Sequence, residues 1–121
     1  MLSIRTITSE QIPIIAIEGE LKAANEGEIM EAIDSVLTPG SNQLILDLTG
    51  IRSIDAAEMQ TIIEATHRSL GQGGRLALVV TDKDKQNALR ESHVADIPGV
   101  LLFEEVKKAM AFLGERRIDI A

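Results

Sequence analysis

Three short runs dense in Ile, Leu and Val set the strongest limit on this chain: Gln11 to Glu18 (QIPIIAIE), Gln43 to Leu48 (QLILDL) and Arg75 to Thr81 (RLALVVT). Each has the length of a buried strand, and none approaches the ~20 apolar residues of a membrane-spanning helix. Between them the apolar period lengthens. Ile29, Ala32, Ile33, Val36 and Leu37 recur at helical spacing, and Met59, Ile62, Ile63, Thr66 and Leu70 share a second helical face. Leu2, Ile4 and Ile7 alternate with polar residues ahead of the first run. The polar Thr8–Ser9–Glu10 stretch between them predicts an antiparallel hairpin.

The remaining punctuation completes the order. Gly19 breaks the second strand. Asn25 with Glu28 three residues later has capping-box spacing, and Pro39–Gly40 stops the helix that follows. Gly50 to Ile54 reads as a loop, and Gly71–Gln72–Gly73–Gly74 ends the second helix with residues that tolerate positive φ. A short charged helix from Thr81 or Asp82 to Glu91, a strand Val100 to Phe103 and a helix Glu104 to Leu113 closed by Gly114 come last. The order β-β-α-β-α-β-α-β-α predicts an α/β sandwich with a mostly parallel, mixed sheet. One domain over 1–114 is expected, with 115–121 as a tail.

A chain of 121 residues fits a single domain and buries roughly two thirds of its unfolded surface. Phe103 and Phe112 are its only aromatics and it has no Cys. The core must therefore be aliphatic, and disulfides, thiolate nucleophiles and Cys-bound metals are excluded. A net charge of −7 argues against binding the phosphates of nucleic acids, and the shortage of aromatics removes stacking platforms. Met1–Leu2–Ser3–Ile4–Arg5 lacks the basic start and continuous apolar core of a signal peptide. A cytoplasmic protein without membrane insertion is the expectation.

Catalytic signals are weak. His67 and His93 read as lone exposed histidines. GxSxG, HExxH and P-loop patterns are absent. Gly71 to Gly74 follows a helix and precedes a strand, the reverse of the order a phosphate-binding loop needs. Asp47 stands at the end of a strand, where it either faces a ligand or caps a neighbouring loop. The richest stretch is Ser53–Ile54–Asp55–Ala56–Ala57–Glu58. Asp55 can cap the helix that follows, Glu58 can reach back to the Asp55 N–H, and both carboxylates suit the positive end of that helix. No metal, cofactor or catalytic residue is expected.

Leu44-Ile45-Leu46-Asp47-Leu48-Thr49-Gly50, the spacer Ile51 to Ile54, and Asp55-Ala56-Ala57-Glu58-Met59 together resemble the signature of STAS domains, which include bacterial anti-sigma-factor antagonists. Ile17-Glu18-Gly19-Glu20-Leu21 resembles the family's Gly-Glu-Leu-Asp segment, with Lys22 where Asp is usual. The resemblance runs from about Leu2 to Leu113. It implies a non-enzymatic interaction domain whose partner is a kinase-like anti-sigma factor or other STAS proteins, with homo-oligomers a further outcome. The implied binding surface spans Leu48 to Thr61 and comprises Glu20, Leu21, Lys22, Thr49, Ser53, Ile54, Asp55, Ala56, Ala57, Glu58 and Thr61.

In the family, the second Ser of Asp-Ser-Ser-Gly is phosphorylated by the partner kinase. Ala57 stands there in this chain and has no hydroxyl. Three outcomes stay open. The domain binds constitutively, Ser53 or Thr61 takes the phosphate instead, or Glu58 supplies a standing negative charge. Two other functions compete: an accessory STAS subunit of an ABC-type lipid transporter, and a small α/β nucleotide-binding protein.

Overall fold

The computed structural model of the chain describes residues 2–21, 25–37, 43–71 and 74–118, with side chains to 114. It begins with an antiparallel hairpin of β1 (Leu2–Ser9) and β2 (Ile12–Gly19). There follow α1 (Glu26–Val36), β3 (Gln43–Ile51), α2 (Ala56–Leu70), β4 (Arg75–Val79), α3 (Lys83–Glu91), β5 (Val100–Phe103) and α4 (Val106–Ile118). The strands form one sheet in the order β1-β2-β3-β4-β5, antiparallel only at β1–β2. The expected mixed α/β architecture is the observed one.

Strand order explains the layers. A right-handed crossover between parallel neighbours puts its helix on one side of the sheet. The parallel strands follow one another in sequence across the sheet, so α1, α2 and α3 all land on the same face. Ile15, Ile17, Leu44, Leu46, Leu48, Leu76 and Leu78 fill that side with Ile29, Ile33 and Ile62 from the helices. The opposite face carries Ile12, Ile14, Ile45, Ala77 and Val79, and α4 covers it with Ala109 and Leu113. Phe112 of α4 packs 5.7 Å from the Phe103 ring, and the Arg75 guanidinium lies 5.4 Å over the same Phe112.

Several boundaries differ from the sequence reading. The hairpin turns at Glu10–Gln11, not at Thr8–Ser9–Glu10. Both residues have positive φ (51° and 69°), and the register pairs Ser9 with Ile12. This register sets Ile4 opposite Ile17 and Ile7 opposite Ile14, and side-chain pairing outweighs turn chemistry. Asn25 precedes α1 in a right-handed conformation and makes no side-chain cap. Gly71 closes α2 at φ −57°, so the positive φ expected of that glycine-rich stretch is not at Gly71. Pro39, Gly40, Gln72 and Gly73 lie outside the described residues. Gly114 does not stop α4, which runs on to Ile118.

The buried face of α2 is also rotated from the expected one. Glu58, Thr61, Ile62, Ala65, Thr66 and Ser69 are buried, while Met59, Ile63 and Leu70 flank them partly exposed. Thr66 and Ser69 tolerate burial because their hydroxyls donate to the carbonyls of Ile62 and Ala65, one turn back, each at 2.8 Å.

Candidate functional site

β3 carries the chain into the site. It extends to Ile51, three residues past the expected end at Leu48. The extension depends on Gly50. β2 and β3 shift register between Ala16 and Glu18, and Glu18 comes to face Gly50. A Cβ on Gly50 would sit 2.5 Å from Glu18 Cγ and 3.3 Å from its Cα, so a larger residue would force Glu18 to shift. Asp47 is consumed within β3. Its Oδ1 accepts from the Thr49 N–H at 3.0 Å and the Thr49 hydroxyl at 2.7 Å, which makes it a local turn cap.

Beyond Ile51 the chain meets the end of β2. Gly19 there takes φ 107°, open to glycine, and turns the backbone away from the sheet. The Arg52 N–H donates to the Gly19 carbonyl at 2.9 Å, and Arg52 Nη1 pairs with Glu20 Oε1 at 3.1 Å. The two loops at the carboxyl ends of β2 and β3 are thus tied together. Leu21 is 3% exposed and anchors the first loop in the core rather than facing outward. Lys22 lies outside the described residues.

The start of α2 is a full capping box. Asp55 Oδ1 accepts from the N–H of Ala57 at 3.1 Å and of Glu58 at 3.2 Å. Glu58 Oε1 accepts from the Asp55 N–H at 2.8 Å. The Ser53 hydroxyl donates to both Glu58 oxygens, at 3.3 and 3.2 Å. The Asp55 carboxyl is held below the usual carboxylate range by hydrogen bonding with Glu58, first through the side chain and then the backbone N–H, and with the Ala57 N–H. Partial desolvation opposes this.

The expected binding residues separate into two sets. Thr49, Ser53, Asp55, Ala56 and Ala57 are exposed, and Ile54 and Glu20 are half-buried. Glu58 is 7% exposed and Thr61 3%. Glu58 therefore faces its own loop, and Thr61 lies on the buried face of α2. Arg52 lies inside the expected surface Leu48 to Thr61 but is not among the residues named for it. Its only sequence signal is a charge opposite to that of Glu20, 32 residues earlier, and nothing local pairs them.

Away from this edge, α1 and α2 flank a surface groove of about 830 Å³, lined in part by Met30, Leu37, Glu64 and His67. The Arg68–Asp34 ion pair, 2.9 Å long, spans the two helices. His67 and His93 are both exposed, and His93 Nδ1 lies 3.0 Å from Asp96 Oδ2. Among the described residues no group of three His, Asp or Glu could hold a metal ion, and no helix is long and apolar enough to cross a membrane.

The sequence model of the STAS domain family matches residues 3–109. The chain is a STAS domain. No curated protein sequence matches it. Its fold is similar to that of an anti-sigma factor antagonist from Mycobacterium paratuberculosis, with a TM-score of 0.78 at 11% identity over 94% of this chain and 95% of that one. A Ser-to-Glu variant of RsbS from Moorella thermoacetica aligns with a TM-score of 0.77 at 16% identity, over 95% and 97% of the two chains. A STAS-domain antagonist from Planctomyces limnophilus aligns with a TM-score of 0.74 at 14% identity, over 92% and 97%. At such identities the likeness speaks for the fold. In this STAS domain the signature residues gather at the carboxyl edge of β2 and β3 and at the start of α2.

Proposed function

We infer that this STAS domain is a non-enzymatic, cytoplasmic protein-binding module of the anti-sigma-factor-antagonist class. Its partner is a kinase-like anti-sigma factor, or other STAS domains in a larger assembly. The antagonist structures named above favour this class over a transporter subunit. Docking uses Thr49, Ser53 and Ile54, the exposed first turn Asp55–Ala56–Ala57, and Glu20 alongside.

The observation that carries the reading is the fully capped first turn of α2. Asp55, Ala56 and Ala57 stand exposed while Glu58 and Ser53 hold the turn from behind. A turn whose N–H groups are already paired has less freedom to lose when a partner docks, which lowers the ordering cost of association. With no hydroxyl at Ala57, the family's usual phosphate cannot form there.

The test is titration calorimetry of the chain with the kinase-like anti-sigma factor encoded nearest to it. Wild type should form a complex. Ala57→Arg, a change at an exposed position, should keep the fold by circular dichroism and weaken binding by at least about tenfold. Absence of a wild-type complex, or an unaffected Ala57→Arg variant, would sink the reading.

A further inference from the structure

β1 is an edge of the sheet, and among the described residues no strand pairs with its outer side. Its eight residues (LSIRTITS) run against β2 without a register shift. A long, regular edge is a ready template for another strand, and proteins usually blunt one with Pro, a bulge or Lys. β1 has none of these, and Arg5 is its only charged residue. Ile4, Thr6, Ile7 and Thr8 are β-branched and suit a strand. Ile7, at 59% exposure, is the one large apolar side chain left in solvent among the described residues.

The hairpin turn fixes which backbone groups face outward. Across the two-residue turn Glu10–Gln11, the flanking Ser9 and Ile12 form a hydrogen-bonded pair. Such pairs alternate along an antiparallel ladder. Ser3, Arg5 and Ile7 therefore direct their N–H and C=O groups to β2, and Ile4, Thr6 and Thr8 turn theirs outward.

We propose that two copies of this chain dimerise by pairing their β1 edges antiparallel, about a two-fold axis at Thr6. Opposed residues of a ladder share one face of the sheet, so the axis must pass through a residue facing its own copy. An axis at Arg5 sets two guanidinium groups directly opposite, which is repulsive. An axis at Ile7 pairs only Arg5 to Ser9. The axis at Thr6 pairs Ser3 to Ser9, with Thr6 facing Thr6 and Ile4 facing Thr8. The outward groups of Ile4, Thr6 and Thr8 then all find partners. Arg5 faces Ile7 at a non-hydrogen-bonded pair, where side chains approach most closely. Its aliphatic stem covers the exposed Ile7 of the second copy, and symmetry repeats the contact. A strand of an unrelated protein needs its own complement to Arg5 and Ile7, whereas a second copy brings one by symmetry. The opposite edge, β5, has only four residues, so pairing β1 with β5 of another copy is shorter and does not close. β1 takes no part in the docking surface proposed above, so this inference stands apart from that reading.

The experiment is sedimentation velocity of the full chain over a range of micromolar concentrations, since an edge contact is small and the dimer correspondingly weak. Wild type should pass from monomer to dimer as concentration rises. Thr6 is exposed, so Thr6→Lys and Thr6→Glu should keep the fold by circular dichroism. Each sets two like charges face to face and should weaken dimerisation about fivefold or more. An equimolar mixture of the two variants brings opposite charges together and should recover dimers. A wild type that stays monomeric throughout, variants that dimerise as well as wild type, or a mixture that recovers nothing would each overturn the proposal. None of these measurements involves a kinase-like protein, so their failure leaves the proposed function untouched.

Discussion

Asp55 and Asn25 occupy the same formal position, the residue before a helix, with Glu three residues later in both cases. Only Asp55 caps. Its backbone is extended, which aims the carboxylate at the first free N–H groups, whereas the right-handed backbone of Asn25 points its amide elsewhere. Spacing was legible in the sequence, but the backbone angle at the cap was not. Asp55→Ala should therefore lower the thermal midpoint by roughly 3–6 °C, and Asn25→Ala should leave it nearly unchanged, as followed by circular dichroism.

Acid acts on the same residue. The folded-state pKa of Asp55 is depressed by its bonds with Glu58 and Ala57, and that of Asp82 chiefly by the Asp84 N–H at the start of α3. A depressed pKa contributes stability that is fully present above the unfolded value, about pH 4, and is lost as pH falls through the folded value. Urea midpoints should drop from pH 5 to pH 3, and the drop should be shallower in Asp55→Asn. An equally steep fall in that variant would remove Asp55 from the account.

At the level of elements, the strands and helices followed from period, and their edges did not. The hairpin shows why. Two ordinary residues, Glu10 and Gln11, both take positive φ because the strand register demands a two-residue turn there. Such a turn suits Asn-Gly. The double change Glu10→Asn with Gln11→Gly should stabilise the chain by about 1–2 kcal/mol in urea denaturation. The α2 stripe shows a second limit. Apolar residues on adjacent rows, Met59–Ile63–Leu70 and Ile62–Ala65, offer two plausible inner faces. Contact with the sheet selects the row with Ala65 and Ser69, whose small side chains let the helix sit close. That choice turns Thr61 inward and leaves Ala57 outward.

The whole molecule is a sheet covered on both sides by different means. Three crossover helices share one face because the strands run in sequential order, and α4 supplies the other. Neighbours on β3 report on the two layers separately. Ile45 faces α4 at 0% exposure, and Leu46 faces the crossover helices at 1%. Ile45→Ala and Leu46→Ala should each cost about 2–5 kcal/mol in urea melts. A near-neutral Ile45→Ala would mean that α4 does not pack as a core layer in solution.

By itself the sequence determined the element order, with the mostly parallel sheet that order implies, the aliphatic core and the capping-box spacing of Asp55 and Glu58, because each is read from composition or from residues a few positions apart. Tertiary structure alone decided that Arg52 joins Glu20 across 32 positions, that Leu21 and Thr61 turn inward, and that Glu18 packs where a side chain on Gly50 would clash. Those outcomes depend on which helix row meets the sheet and how closely two strands approach. Both are set by packing between distant segments, which leaves no periodic or short-range trace in the chain.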